Sequence, residues 1–124
     1  MATGKIQNPR LNNVTGSLRD NLANGTGTTS QCSVTSSNGI GNVNYRRYNM
    51  SGQLINGNIC IIDSDSLIPS TPIQILAFGK REGDSYADYF PIPGEIKTNG
   101  AVAIYYSSSI NIDDIYIIAT YPIK

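Results

Sequence analysis

Three pairs of aspartates are the residues of this chain whose spacing could support chemistry: Asp63 and Asp65, Asp84 and Asp88, and Asp113 and Asp114. Two carboxyl groups can cleave a glycosidic bond when they face one another across a sugar, and carboxylate oxygens also bind calcium. Each pair lies in a turn-like segment, where aspartate is expected because it bonds its own backbone. No Gly or distal Glu follows Asp63 at EF-hand spacing. We therefore predict neither a catalytic pair nor a metal site.

The absence of histidine argues against most other kinds of active site. Histidine is the side chain most often used for acid–base work near neutral pH, and the 124 residues contain none. The serines have neither a histidine base nor a Ser-x-x-Lys motif. Cys32 and Cys60 likewise have no histidine to activate a thiolate or complete a zinc site. We predict reduced thiols, with a disulfide as the alternative, and we expect no enzymatic activity and no cofactor.

The charge balance and hydropathy pattern exclude two classes of partner. Nine Lys and Arg residues balance nine Asp and Glu residues, so the formal net charge is zero. A neutral chain is not steered toward nucleic acid or an anionic membrane surface. No apolar run approaches the ~18 residues that indicate a membrane helix, and the first residues show no hydrophobic signal segment. We therefore expect a protein made in a cytoplasm, with no nucleic-acid binding and no membrane insertion.

Tyrosine is the aromatic residue best suited to recognise a ligand here, with eight Tyr against two Phe and no Trp. Its ring offers apolar area and its hydroxyl a hydrogen bond, which suits contacts with saccharides or proteins. The charged loop 80–88 follows a predicted strand, and loops on a rigid scaffold often carry function. Residues of this loop and of segment 44–50 form the predicted ligand-binding site: Tyr86, Asp84, Asp88, Arg81, Tyr48 and Arg47. The alternative is that Tyr45 and Tyr48 pack at strand edges and that Tyr89 fills a corner.

Short β-rich runs separated by polar turns must position these side chains. The runs span residues 54–62, 73–78, 101–106 and 115–121. Many short strands with turn signals predict an all-β fold, here an antiparallel, jelly-roll-like β-sandwich. Asn99-Gly100 is a hairpin signal, and Asn56-Gly57 predicts either a tight hairpin turn or a bulge.

Residues 1–43 contain few apolar residues and are predicted to form a short N-terminal arm before a head domain at residues 44–124. Leu11, Val14, Leu18 and Leu22 recur at the spacing of one helix face. Gly16 lies within that pattern and weakens it, so a short helix and an irregular arm both remain open. Residues 36–42 are expected to form a loop that leads into the β region.

The last two predicted strands indicate contacts between subunits. In residues 101–106 and 115–121 both faces are apolar or aromatic, whereas a half-exposed antiparallel strand alternates. One face then packs on the core, and the other needs a second layer or a neighbouring subunit. We predict an oligomer whose interface contains four residues from these strands: Ile104, Tyr106, Ile117 and Tyr121.

The order of features over residues 44–124 resembles the β-sandwich head domains of phage and prophage tail fibres and baseplate receptor-binding proteins. Tyr45-Arg46-Arg47 begins the first strand, and the chain closes on residues 118–123. The segments that carry the resemblance between them are residues 52–57, 75–81, 89–92 and 96–105. The sequence departs from the family at residues 76–81, which lack the prolines that the family commonly has there.

The resemblance implies a homotrimer at the end of a phage tail that binds saccharides of the host cell surface and is not an enzyme. Residues 1–43 would attach it to other tail proteins, and the protein, made in the host cytoplasm, would end in the virion. Three weak sites would add through their high effective concentration. The alternatives are a structural virion or baseplate component that binds other phage proteins, and a small glycan-acting hydrolase, against which the missing histidine argues.

Overall fold

β-Strands make up nearly all the regular structure of the computed structural model, which describes residues 13–50, 56–81, 83, 88–106 and 112–123. In these residues the strands are β1 (Val14–Thr15), β2 (Leu18–Asp20), β3 (Thr28–Ser37), β4 (Ile40–Tyr48), β5 (Gly57–Ile62), β6 (Ile73–Arg81), β7 (Phe90–Ile96), β8 (Ala101–Ile104) and β9 (Ile112–Pro122). A three-residue 3₁₀ helix, Asp65–Leu67, lies between β5 and β6. No helix in the described ranges is long and apolar enough to span a membrane.

The strands form one hydrogen-bonded sheet in the order β1-β3-β4-β9-β6-β7-β8-β5-β2. Every neighbouring pair is antiparallel, which confirms the all-β, antiparallel prediction. β1 and β2 follow one another in the chain but lie at opposite ends of this order. The sheet therefore curls into a half-cylinder, and segment 14–20 joins its two edges. A jelly-roll order and a trimer stay predictions.

Gly16 makes this join between the two sheet edges. Its amide donates to the Val34 carbonyl at 2.8 Å on one side, and the Ser17 carbonyl accepts from the Asp63 amide at 2.9 Å on the other. A Cβ at position 16 would clash with the Leu67 side chain. The helical interpretation of this segment is wrong, because strand pairing on both sides of Gly16 satisfies the backbone instead. Residues 14–43 are therefore part of the sheet, and the predicted boundary after residue 43 falls inside β4.

Residues with positive φ form the turns of two hairpins. Asn38 and Gly39 have φ values of 55° and 80°, the pattern of a two-residue turn whose twist matches the flanking strands. The prediction of a loop over residues 36–42 is therefore wrong, since β3 and β4 run up to this two-residue turn. The hairpin predicted at Asn99-Gly100 is confirmed: Gly100 has φ 92°, and Asn99 Oδ1 accepts from the Ala101 amide at 3.0 Å.

The start of β5 bears on the turn predicted at Asn56-Gly57. Gly57 has φ 115° and opens the strand. Residues 51–55 lie outside the described residues, so the hairpin alternative stays a prediction. Close to Gly57, the register between β5 and β8 shifts between Asn58 and Cys60, which is a bulge-type irregularity.

The core lies inside the curl of the sheet, and strands alternate between it and the outer face. In β9, Ile115, Ile117, Ala119 and Tyr121 are buried, whereas Ile118 and Thr120 are exposed. Tyr121 Oη donates to the Leu67 carbonyl at 2.7 Å and ties the last strand to the 3₁₀ helix.

The four residues predicted to form a subunit interface instead fill this core. Ile104 and Ile117 are fully buried, and Tyr106 and Tyr121 are 8% and 2% exposed. They pack against the chain's own apolar side chains. That prediction is wrong, because these side chains are buried within the chain itself: β8 is buried on both faces, and Ile117 and Tyr121 lie on the inner face of β9.

Candidate binding surface

Arg47 is a buried structural residue, so the prediction that it contacts a ligand is wrong. Its side chain is 2% exposed. Nη1 donates to Thr29 Oγ1 at 2.7 Å, and Nη2 donates to the carbonyls of Gly25 and Thr26 at 2.8 and 3.1 Å. The guanidinium thereby holds the connection between β2 and β3 against β4.

Asp20 is the acidic partner in this buried cluster. Thr29 Oγ1 donates to Oδ2 at 2.5 Å, and Tyr45 Oη and the Leu22 amide donate to Oδ1 at 2.8 and 2.9 Å. Burial alone would raise the pKa of Asp20, but these hydrogen bonds and the charge of Arg47, 3.9 Å away, hold that pKa below its ordinary value. The carboxylate is thus charged and is held by three hydrogen-bond donors of the fold.

The two cysteines adjoin the same cluster and are free thiols. Cys32 Sγ donates to the Leu18 carbonyl at 3.3 Å, while Cys60 is buried on β5, opposite Asp20 in the register. Burial raises the pKa of Cys32 to about 11 and raises that of Cys60 as well. Since the thiolate is the nucleophilic form, neither residue is activated for covalent chemistry near neutral pH.

Among the described residues of the predicted ligand site, Arg81 and Tyr48 do not come together. Asp84 and Tyr86 lie outside the described residues. Asp88 is exposed, and the guanidinium carbon of Arg81 stacks 4.1 Å from the centre of the Phe90 ring. Arg81 ends β6 and Tyr48 ends β4, two strands that β9 separates in the sheet.

The beginning of the predicted loop 80–88 belongs to a strand. β6 continues to Arg81, and Lys80 is 5% exposed, with Nζ 3.3 Å from Asp113 Oδ2. This extension of the strand is not evident from the residue types, because a Gly-Lys-Arg run resembles a polar turn. The described residues of this loop therefore offer less recognition surface than expected.

An open depression of about 360 Å³ lies on the outer face of the sheet and is lined by Ser30, Gln31, Arg46 and Tyr48. A bulge creates it: the register of β3 against β4 shifts between Thr29, opposite Arg47, and Gln31, opposite Arg46. Bulges insert a residue and re-aim side chains, and here Ser30 and Gln31 both line the depression. Of the predicted ligand residues that the structure describes, Tyr48 alone lines it.

Arg46 is the charged side chain of this depression, and two tyrosines hold it. Its Nη2 donates to Tyr89 Oη at 3.3 Å, and its guanidinium carbon lies 5.3 Å from the centre of the Tyr116 ring. Tyr89 Oη in turn donates to Asp114 Oδ2 at 2.8 Å. Burial and this bond to Asp114 raise the pKa of Tyr89 to about 12, so the hydroxyl keeps its proton near neutral pH.

A second part of the outer face is apolar. Leu76, Phe78 and Ile118 are 54%, 43% and 51% exposed, and the register places Leu76 opposite Pro93 and Phe78 opposite Pro91. We call Leu76, Phe78, Pro91, Pro93 and Ile118 the outer apolar patch. Of these five residues only Ile118 lies on one of the two late strands. The four residues of β8 are all buried, so the second apolar face expected on that strand is not exposed.

Candidate metal ligands and similar proteins were both sought as indications of what these surfaces do. Over the part of the chain that the structure describes, no group of three or more His, Cys, Asp or Glu residues is placed to hold a metal ion. The chain matches no protein-family model, no curated protein and no solved structure. The resemblance to phage tail-fibre heads therefore stays a prediction from the sequence.

Proposed function

We propose that this chain is the receptor-binding head of a phage tail appendage and attaches to saccharides on the host cell surface. The observation that carries the proposal is the depression on the outer face, which combines a tyrosine, an arginine, a glutamine and a serine. Sugars present hydroxyl groups that need both donors and acceptors, and these side chains supply both. The Tyr48 ring adds apolar area for the face of a sugar.

The surface beside the depression supports a ligand longer than one sugar unit. Along the outer face of β3 and β4, Ser33 lies opposite Asn44 and Thr35 lies opposite Asn42. These hydroxyl and amide side chains are exposed or half-buried, and they extend the polar surface away from Arg46. An oligosaccharide could follow this strip, with hydrogen bonds from successive residues of both strands.

The outer apolar patch supports an oligomeric head. Contiguous exposed apolar groups on a protein commonly mark interaction surfaces, and a homotrimer would cover the patch and multiply weak saccharide sites. In this proposal the trimer sits in the virion, and the residues before β1 contribute the attachment to other tail proteins, because residues 28–37 belong to the binding face. The same patch favours a second candidate function, a structural virion or baseplate component whose partner is another tail protein.

Adsorption of the labelled protein to bacterial cells and to their purified envelope polysaccharide tests the binding function. Tyr48→Ser is expected to weaken adsorption about ten-fold or more, because it removes a ring and a hydroxyl from the depression. Tyr105→Ser removes a tyrosine that is 44% exposed and lies outside the depression, and it should adsorb like the wild type. Equal adsorption by both variants would place the site elsewhere, and no adsorption to any envelope would contradict the function.

Light scattering of the wild type and of Phe78→Lys separates the two roles of the patch. A trimer at micromolar concentration that dissociates in the lysine variant is the expected result, because a charge at position 78 cannot be buried without a partner. A wild-type monomer would contradict the trimer and favour docking of a different tail protein on the patch.

A further inference from the structure

We propose that the saccharide bound in the depression is acidic and that Arg46 binds its carboxylate or phosphate group, an inference that rests on the proposed saccharide-binding function. Arginine presents planar, parallel N–H donors that match the oxygens of either anion. The chemistry shared by both groups is a charged, multidentate oxygen acceptor carried on a sugar chain.

The guanidinium of Arg46 is already oriented. One nitrogen is bound to Tyr89 Oη, and the cation lies near the Tyr116 ring. The Tyr89 hydroxyl is itself fixed, because it donates to Asp114. A cation positioned before binding loses little side-chain freedom when the ligand arrives, which favours affinity.

Among the described residues, no carboxylate forms a salt bridge with Arg46. The salt bridges among the described residues join Arg19 to Asp63, Arg47 to Asp20 and Lys80 to Asp113, and none of them includes Arg46. Asp114 is 1% exposed and stands behind Tyr89, where the Tyr89 hydroxyl and the Asn49 amide bind its two oxygens. An approaching ligand therefore meets the cation and not the acid.

The strands that form the depression contribute no opposing charge. β3 and β4, residues 28–37 and 40–48, contain no Asp or Glu, and the other lining residues, Ser30, Gln31 and Tyr48, are neutral hydrogen-bonding groups. A neutral sugar would cover Arg46 without replacing the water that solvates its charge, which is costly. An anion on the sugar replaces that water with a charge-assisted hydrogen bond, so the surface selects an acidic saccharide over a neutral one.

The experiment uses the purified envelope polysaccharide of a strain to which the protein adsorbs, in three forms: native, with its carboxylates esterified, and with its phosphate groups removed by hydrofluoric acid. The wild type is expected to lose about ten-fold or more in affinity for one of the two treated forms, the loss that accompanies removal of a charge-assisted hydrogen bond. The form that loses binding identifies the anion as carboxylate or phosphate.

Arg46→Gln is expected to bind the native polysaccharide about ten-fold or more weakly than the wild type does. Its affinity should not fall further for the treated form that the wild type binds poorly. Arg19→Gln is the matched control, since it removes the same charge from an exposed arginine on β2 that is paired with Asp63; it should behave like the wild type. Full binding of both treated forms, or of Arg46→Gln, would overturn the inference while leaving saccharide binding intact. Equal losses in both variants would also overturn it, because net charge alone would then explain them. Failure of the native polysaccharide to bind would instead refute the proposed function.

Discussion

Replacing Arg47 by glutamine should lower the free energy of unfolding by about 3 kcal/mol. The same replacement at the neighbouring Arg46 should lower it far less. The change removes the hydrogen bonds to Thr29 Oγ1 and to the carbonyls of Gly25 and Thr26. It also removes the cation 3.9 Å from Asp20. Breaking a buried ion pair by deleting one partner typically costs about 3–5 kcal/mol.

The lower end of that range applies here. Asp20 keeps its donors Thr29, Tyr45 and the Leu22 amide, and its side chain is 16% exposed, so solvent and hydrogen bonds still stabilise the carboxylate. Arg46→Gln is the control on the same strand. Arg46 is half-buried and has one 3.3 Å hydrogen bond and one ring contact, and its replacement should cost less than about 1 kcal/mol.

Urea unfolding followed by circular dichroism measures both changes, with the free energy of unfolding taken from the midpoint at an unchanged m-value. A loss of about 3 kcal/mol is a large part of the roughly 5–15 kcal/mol expected for a native domain, so Arg47→Gln should shift the midpoint clearly. An unfolding free energy within about 1 kcal/mol of the wild type for Arg47→Gln, or equal losses for the two variants, would refute the assignment of Arg47 to the interior and Arg46 to the surface.

Two further variants test the interior, each by urea unfolding. Tyr121→Phe should lower the free energy of unfolding by about 1–2 kcal/mol, because it leaves the buried Leu67 carbonyl without its 2.7 Å donor. The control Tyr105→Phe, on an exposed ring, should change it by less than about 0.5 kcal/mol, and equal effects would contradict the inward orientation of Tyr121. The pKa of Asp20 is lower in the folded chain than its unfolded value of about 3.9. The contribution of the Asp20 carboxylate to the free energy of unfolding is therefore fully present above about pH 4. It is lost as the pH falls through the pKa that Asp20 has in the folded chain. Asp20→Asn should be less stable than the wild type at pH 7 and should lose less stability than the wild type between pH 5 and pH 2. If the free energy of unfolding fell by the same amount in both proteins over that range, this prediction would be contradicted.

The fold class could be predicted because its signals are local. Short β-rich runs and the Asn99-Gly100 turn depend on neighbouring residues, and both reappear as strands and a hairpin. The orientation of Arg46 and Arg47 was also within reach. Val43 and Tyr45 are core residues of the same strand, so a period of two places Arg47 inward and Arg46 outward.

Features that depend on distant pairing could not be read from the sequence. The bulge at Ser30 exists only in the register between β3 and β4, and without it the depression is not defined. The join at Gly16 depends on two sheet edges and on the Leu67 side chain. In residues 115–121 both faces carry apolar or aromatic side chains, so composition cannot say which face of β9 is inside; the curl of the sheet decides that. The pairing of distant strands also buries both faces of β8.

The proposed binding of saccharides to the outer face of β3 and β4 can be mapped residue by residue with NMR. A ¹⁵N-labelled sample would be titrated with oligosaccharides released from the envelope polysaccharide of an adsorbing strain. Amide shifts should concentrate at Ser30, Gln31, Arg46 and Tyr48 and extend toward Asn44. Saturable shifts confined to other strands, or no shifts at millimolar saccharide, would contradict it.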